Sequence, residues 1–209
     1  MNTDFFISTS IAVLFLLLFA LMLFQSIKKH RRAFILTASL LVGTFGGVIS
    51  ALQYVISAYE KYFLYFSLII WSITYFMIYI FLEKLYSPKP NRIRLAIISV
   101  FLFSSIVFQL LTLLAPDAGT VDPSNVFRTL YANFTNGIIW GMDISYTLLG
   151  SSIFIFGAYV HYKAYMFNKE PVILIQVIST AIIALGFFVG FIGGDIFKIS
   201  VFLAIGDGI

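Results

Sequence analysis

Asp143 has the clearest chemical potential in this sequence. It lies in "GIIWGMDISYTLLG", residues 137–150, with apolar neighbours on both sides. A carboxylate held within lipid is costly, so it marks a functional site by default. Gln53, Gln109, Asp195 and Lys198 are the other polar side chains on the same predicted side of the membrane, and Trp140, Tyr54 and Tyr146 supply rings nearby. One acidic anchor, two amides and aromatic walls suit the non-covalent capture of a small amphipathic ligand. Asp195 and Lys198, three residues apart, can pair on one helix turn, with Asp195 favourably placed at a helix N-terminus. That pair also has a bland reading as a local ion pair, and Asp143 has one as a packing contact between helices.

The sequence does not point to catalysis. His30 and His161 both fall at predicted helix ends, and there is no cysteine. A catalytic metal needs several converging His or acidic ligands. No nucleophile elbow, phosphate-cradling glycine loop or haem-binding pair of histidines occurs. The expectation is therefore no enzyme, no metal and no cofactor. The net charge of +4 does not suggest nucleic acid, because Lys and Arg in a chain of this kind report which loops face the cytoplasm.

Composition sets what must position these residues. Of 209 residues, 61% are hydrophobic and 11% charged, against about 25% charged in a soluble domain. Most of this surface needs lipid as its solvent, so the partner is the bilayer and the location a cell membrane crossed several times. The chain reads as a single all-α membrane domain over residues 1–209. Seven transmembrane helices are predicted, at about 5–27, 33–58, 62–83, 95–115, 137–161, 171–192 and 196–209. The first is retained, because its apolar run exceeds the 7–15 residues of a signal peptide and its positive charge follows the run. The stretch 33–83 would span about 76 Å as one helix, more than two bilayer cores, so it must fold back at the charged pair Glu60-Lys61. Pro171 suits the first turn of helix six.

By helix alternation, ten of the thirteen basic residues fall on one side: Lys28, Lys29, Arg31, Arg32, Lys84, Lys89, Arg92, Arg94, Lys163 and Lys169. The positive-inside rule then places the N-terminus outside. On that orientation the candidate site residues lie in the outer half and the inner halves are mostly Ser, Thr and apolar residues, Gln176 excepted. Residues 122–135, with Asp122 as cap and Pro123 in the first turn, read as an interfacial segment whose apolar face could cover the outer side. Run seven is short and ends on "GDGI" without a basic stop. A longer protein with a cytoplasmic output domain, or a partner subunit, is the expectation there.

Glycines four apart (Gly43 and Gly47, Gly137 and Gly141, Gly186 and Gly190) predict close helix packing. No proline falls within a predicted helix, which weighs against the broken helices of many transporters. The favoured function is a receptor-like or sensory domain that binds a small amphipathic ligand from the outer side. A small transporter, or a structural subunit of a membrane complex, is the alternative.

Overall fold

The computed structural model describes residues 3–28, 34–56, 59–87, 89–114 and 126–190, without the side chains of 3–4, 25–28 and 126–136. Those residues form six helices: α1 Thr3–Lys28, α2 Phe34–Val55, α3 Glu60–Tyr86, α4 Arg92–Leu114, α5 Val126–Asn168 and α6 Pro171–Gly190. All six are long and apolar enough to cross a membrane, as expected of a multi-pass membrane protein. The predicted seventh helix, 196–209, lies outside the described residues, as do Asp195, Lys198 and residues 122–125.

Sequential helices pack antiparallel, and α3 contacts α2, α4 and α5. The register can be read from close approaches. Gly47 faces Ala12, and Gly43 faces Phe15 and Thr74. Ser72 meets Ser105 across α3 and α4, Gly141 faces Phe108 across α4 and α5, and Gly150 faces Phe187 across α5 and α6. The glycines act as the spacing predicts: a Cβ on Gly47 would lie 3.0 Å from the backbone Cα of Ala12, so α1 sits directly on α2 there. Gly137 is different, with open space around its Cα. The chain does fold back between α2, which ends at Val55, and α3, but Glu60 and Lys61 open α3 instead of forming the turn.

The largest departure from the sequence reading is α5. It is one helix of 43 residues, which takes in residues 126–135 of the segment read as interfacial and the loop "HYKAYMFN". At 1.5 Å per residue it is about 64 Å long, twice a bilayer core. Its chemistry allows this. No proline or paired glycine interrupts 126–168, and the polar residues read as loop signals (His161, Lys163, Asn168) are all tolerated in a helix. Helix α5 stops only when Lys169 adopts φ 56° and Pro171 opens α6.

The buried core gathers Tyr79 and Leu82 of α3, Ile98 of α4, and Leu149 and Ile153 of α5. The buried polar residues are mostly Ser and Thr whose hydroxyls donate to a carbonyl three or four residues back. Thr74 to Ile70, Ser67 to Leu64, Thr112 to Phe108 and Ser151 to Thr147 are examples. Such self-satisfied hydroxyls cost little in an apolar bundle and leave no donor to spare.

Candidate functional site: two polar clusters on α3

Two polar clusters are built on α3. The first is mid-helix. Gln109 of α4 is fully buried, at 0% exposure, as are Ser72 and Ser105. The Ser72 hydroxyl donates to the Leu68 carbonyl at 2.9 Å, so it offers only lone pairs to its other neighbours. The Gln109 amide nitrogen therefore turns toward the serines and donates to Ser72 Oγ at 3.2 Å and Ser105 Oγ at 3.0 Å. The two serine oxygens are 3.2 Å apart, and Ser105 is left to donate to Ser72. This ordering uses every donor of the cluster and leaves Gln109 Oε1 buried without a hydrogen-bond partner. Gln53 of α2 shares that condition at its own Oε1. Both orphans are acceptors. An unpaired buried polar atom costs about 1–3 kcal/mol, so its retention calls for a reason.

Beside this cluster, one turn along α3, the rings assemble. Trp71 meets Phe15 edge-on at 5.1 Å and Tyr75 at 5.9 Å. Tyr75 in turn contacts Tyr146 and Phe154 of α5 and Phe187 of α6 at 5.5–5.9 Å. Tyr146 donates to the Tyr75 hydroxyl at 3.4 Å. Of the sequence candidates, Gln109 and Tyr146 thus sit beside Ser72 and Tyr75 of α3. Trp140 is an exposed residue of α5, while Asp143 on α5 and Tyr54 on α2 are half-buried.

The second cluster lies at the end of the bundle that carries the basic loops, and sequence reasoning missed it. Glu83, read as the last residue of helix three, is 2% exposed. Both its oxygens are fully used. Oε1 accepts from Arg94 Nη2 at 2.7 Å and from the Asn91 backbone N–H at 2.8 Å, while Oε2 accepts from Arg94 Nε and Tyr79 Oη, each at 3.2 Å. Asn91 Oδ1 caps α4 by accepting from the N–H groups of Ile93 and Arg94. The Arg94 guanidinium lies over the rings of Tyr86 and Phe156, at 5.3 and 5.0 Å, and so ties α5 to the α3–α4 hairpin. A signal existed in "EKLYSPKPNRIR": a carboxylate eleven residues before an arginine across a short proline loop fits an antiparallel hairpin closed by an ion pair.

Two concavities adjoin these elements. One, about 280 Å³, is a groove between α1 and α2 lined by Phe5, Val13, Leu16, Val48, Leu52 and neighbours, and Thr9 and Thr44 there donate to their own helix carbonyls. The other, about 120 Å³, lies beside Glu83 and is bordered by Tyr79, Lys84, Pro90 and Leu95. Among the described residues no group of three or more His, Cys, Asp or Glu could hold a metal ion.

The chain matches no known family model, and no curated protein or solved structure shows significant similarity to it.

Proposed function

We propose that this chain is a receptor-like or sensory membrane domain, in which a small amphipathic ligand enters from the side away from the basic loops and is received near the middle of the bundle. The observation that carries the reading is Gln109, a fully buried amide whose carbonyl oxygen has no partner, placed one turn from a cluster of six rings that includes Tyr75 and Tyr146. A bundle built only for stability gains nothing from such an atom. The orphan is an acceptor, and the neighbouring hydroxyls are already spent, Ser72 on the Leu68 carbonyl and Ser105 on Ser72. The ligand's polar group is therefore a donor, a hydroxyl or an ammonium, and its apolar body packs on the rings. Asp143, half-buried on α5, supports the same preference for donors over anions.

The reading also sets the N-terminus outside and the basic loops in the cytoplasm. Cysteines introduced at Glu60 and Ser87, in a chain with none of its own, test this. In intact cells a membrane-impermeant maleimide labels position 60 and not 87; labelling of 87 alone reverses the site's orientation.

Function itself is tested by ligand-induced stabilisation in nanodiscs with dodecanol and dodecylamine as probes and dodecanoate as the anionic control. The alcohol and the amine raise the melting temperature of the wild type and not of Gln109→Leu, and dodecanoate has no effect on either. Equal stabilisation by all three, or by none, removes the reading.

A further inference from the structure

At the end of the bundle that carries the basic loops, the balance of donors and acceptors is the reverse of that around Gln109. Tyr86 is the last residue of α3 and Arg94 the third of α4, so both stand where their helices stop. Tyr159 of α5 meets Tyr86 there, with hydroxyls 3.2 Å apart and ring centroids at 5.6 Å. Phe156 joins the two rings, edge-on to Tyr86 at 5.8 Å and stacked with Tyr159 at 6.5 Å. A cation lies on each tyrosine: the Arg94 guanidinium over Tyr86 and Phe156, and the Lys163 ammonium over Tyr159 at 5.7 Å. Three helices thus build one patch of two hydroxyls and two cations, held together by ring and cation–ring contacts.

Donors outnumber acceptors in this patch. The bond between Tyr86 and Tyr159 uses one hydroxyl proton, and among the described residues the other has no acceptor. Lys163 likewise meets no carboxylate among them. Glu83, the nearby acid, has both oxygens occupied and takes only Nε and Nη2 of Arg94, so Nη1 stays outside that pair. Since Glu83 neutralises Arg94, the net charge of the patch is the single positive charge of Lys163. Its complement is an anion that only accepts hydrogen bonds and offers several oxygens, which is a phosphate. Arg94 is already fixed by Glu83, so little order remains to be imposed when such a group binds.

Position decides where that phosphate comes from. Tyr86 and Tyr159 are each 39% exposed. One turn inward from Tyr159 and Arg94, Ile155 and Ile97 are exposed apolar residues of membrane-crossing helices. The patch therefore stands at the upper edge of lipid-facing surface, at the level where α3 and α4 stop and headgroups begin. Basic pockets between membrane helices at this level bind anionic headgroups. We propose that Tyr86, Arg94, Tyr159 and Lys163 bind the phosphate of an anionic phospholipid, whose acyl chains lie along Ile97 and Ile155. The proposal is independent of the ligand at Gln109. A free phosphate anion shares the same chemistry and lacks only the chains.

The test titrates the whole chain, in a neutral detergent, with phosphatidylglycerol and phosphatidylcholine of identical acyl chains, and measures bound lipid by native mass spectrometry. The wild type should prefer phosphatidylglycerol about fivefold, the factor expected of one basic residue beside an anionic headgroup. Lys163→Gln should remove that preference. Lys169→Gln takes the same charge from the same end of the bundle but outside the patch, and should keep it. Tyr86→Phe with Tyr159→Phe keeps the rings and deletes the hydroxyls, and should weaken both lipids about threefold, as the loss of a hydrogen bond would. Lys163 is an exposed residue, so Lys163→Gln keeps the fold and carries the test even if the tyrosine hydroxyls are needed for stability. Equal loss of preference in Lys163→Gln and Lys169→Gln means that the basic end acts as diffuse charge, and overturns the proposal. Complete displacement of phosphatidylglycerol by excess inorganic phosphate at constant ionic strength assigns the patch to a soluble anion and overturns it equally, as does a wild type with no preference.

Discussion

The two polar clusters on α3 differ in one respect, although both bury hydrogen-bonding groups in an apolar bundle. Around Glu83 every lone pair the carboxylate presents is met by a donor, from Arg94, Tyr79 or Asn91. Around Gln109, eleven residues away along α3 at Ser72, the donors are spent and a carbonyl oxygen is left over. A buried network that is fully satisfied rigidifies its surroundings, whereas a partly satisfied one carries a standing cost. The comparison sets architecture against the proposed function: the charged cluster is what holds three helices together, and the neutral one, weaker and incomplete, is where the proposed ligand would gain by binding.

The comparison breaks most sharply at Arg94. Arg94→Ala leaves a carboxylate at 2% exposure without its counter-charge. Removing one member of a buried pair costs about 3–5 kcal/mol, and the low end applies because Arg94 itself keeps 35% exposure. Unfolding in mixed micelles should show a loss of about 3 kcal/mol. Replacing Glu83 and Arg94 together by Met should recover most of it, since a well-packed apolar pair is often neutral. A double variant as unstable as the single one would mean that the pair supplies more than mutual compensation.

Gly47→Ala comes next. Its new methyl would lie 3.0 Å from the Cα of Ala12, which is backbone and cannot rotate away, so α1 must shift. Overpacking of this kind costs about 1–3 kcal/mol. The loss should appear both as a lower melting temperature and as easier proteolytic release of α1. Gly141→Ala meets the movable ring of Phe108 instead and should cost less.

Gln109→Leu has the smallest expected effect on stability. Two hydrogen bonds of the kind that average about 0.6 kcal/mol in membranes are lost, and an unpaired carbonyl is removed with them. The net change should stay within about 1 kcal/mol of zero by melting in detergent. A loss of about 3 kcal/mol would make Gln109 a structural residue like Glu83.

Much of the fold could be read from residue types. The apolar runs locate six helices, Glu60-Lys61, at the start of α3, marks where the chain folds back from α2, and Gly43 and Gly47 mark the close seam with α1 and α3. The length of α5 could not be read, because His161, Lys163 and Asn168 are equally at home in a loop or in a helix that leaves the membrane. The candidate site was half legible. Gln109 stands out as an amide in an apolar run, but nothing in the sequence says that its carbonyl is the unpaired half, which depends on where Ser72 spends its hydrogen. Glu83 was hidden by its neighbours: a charge next to a basic loop reads as solvated, and only the antiparallel hairpin carries Arg94 back over it.

The most direct measurement is photolabelling in nanodiscs with a long-chain alcohol carrying a diazirine on its alkyl chain. The account predicts saturable labelling of the peptides around Tyr75, Tyr146 and Phe187, competed by dodecanol and lost in Gln109→Leu, while Arg94→Lys, at the other cluster, leaves it in place. Labelling spread evenly over the lipid-facing surfaces of α1 and α6, unsaturable and indifferent to Gln109→Leu, would contradict it.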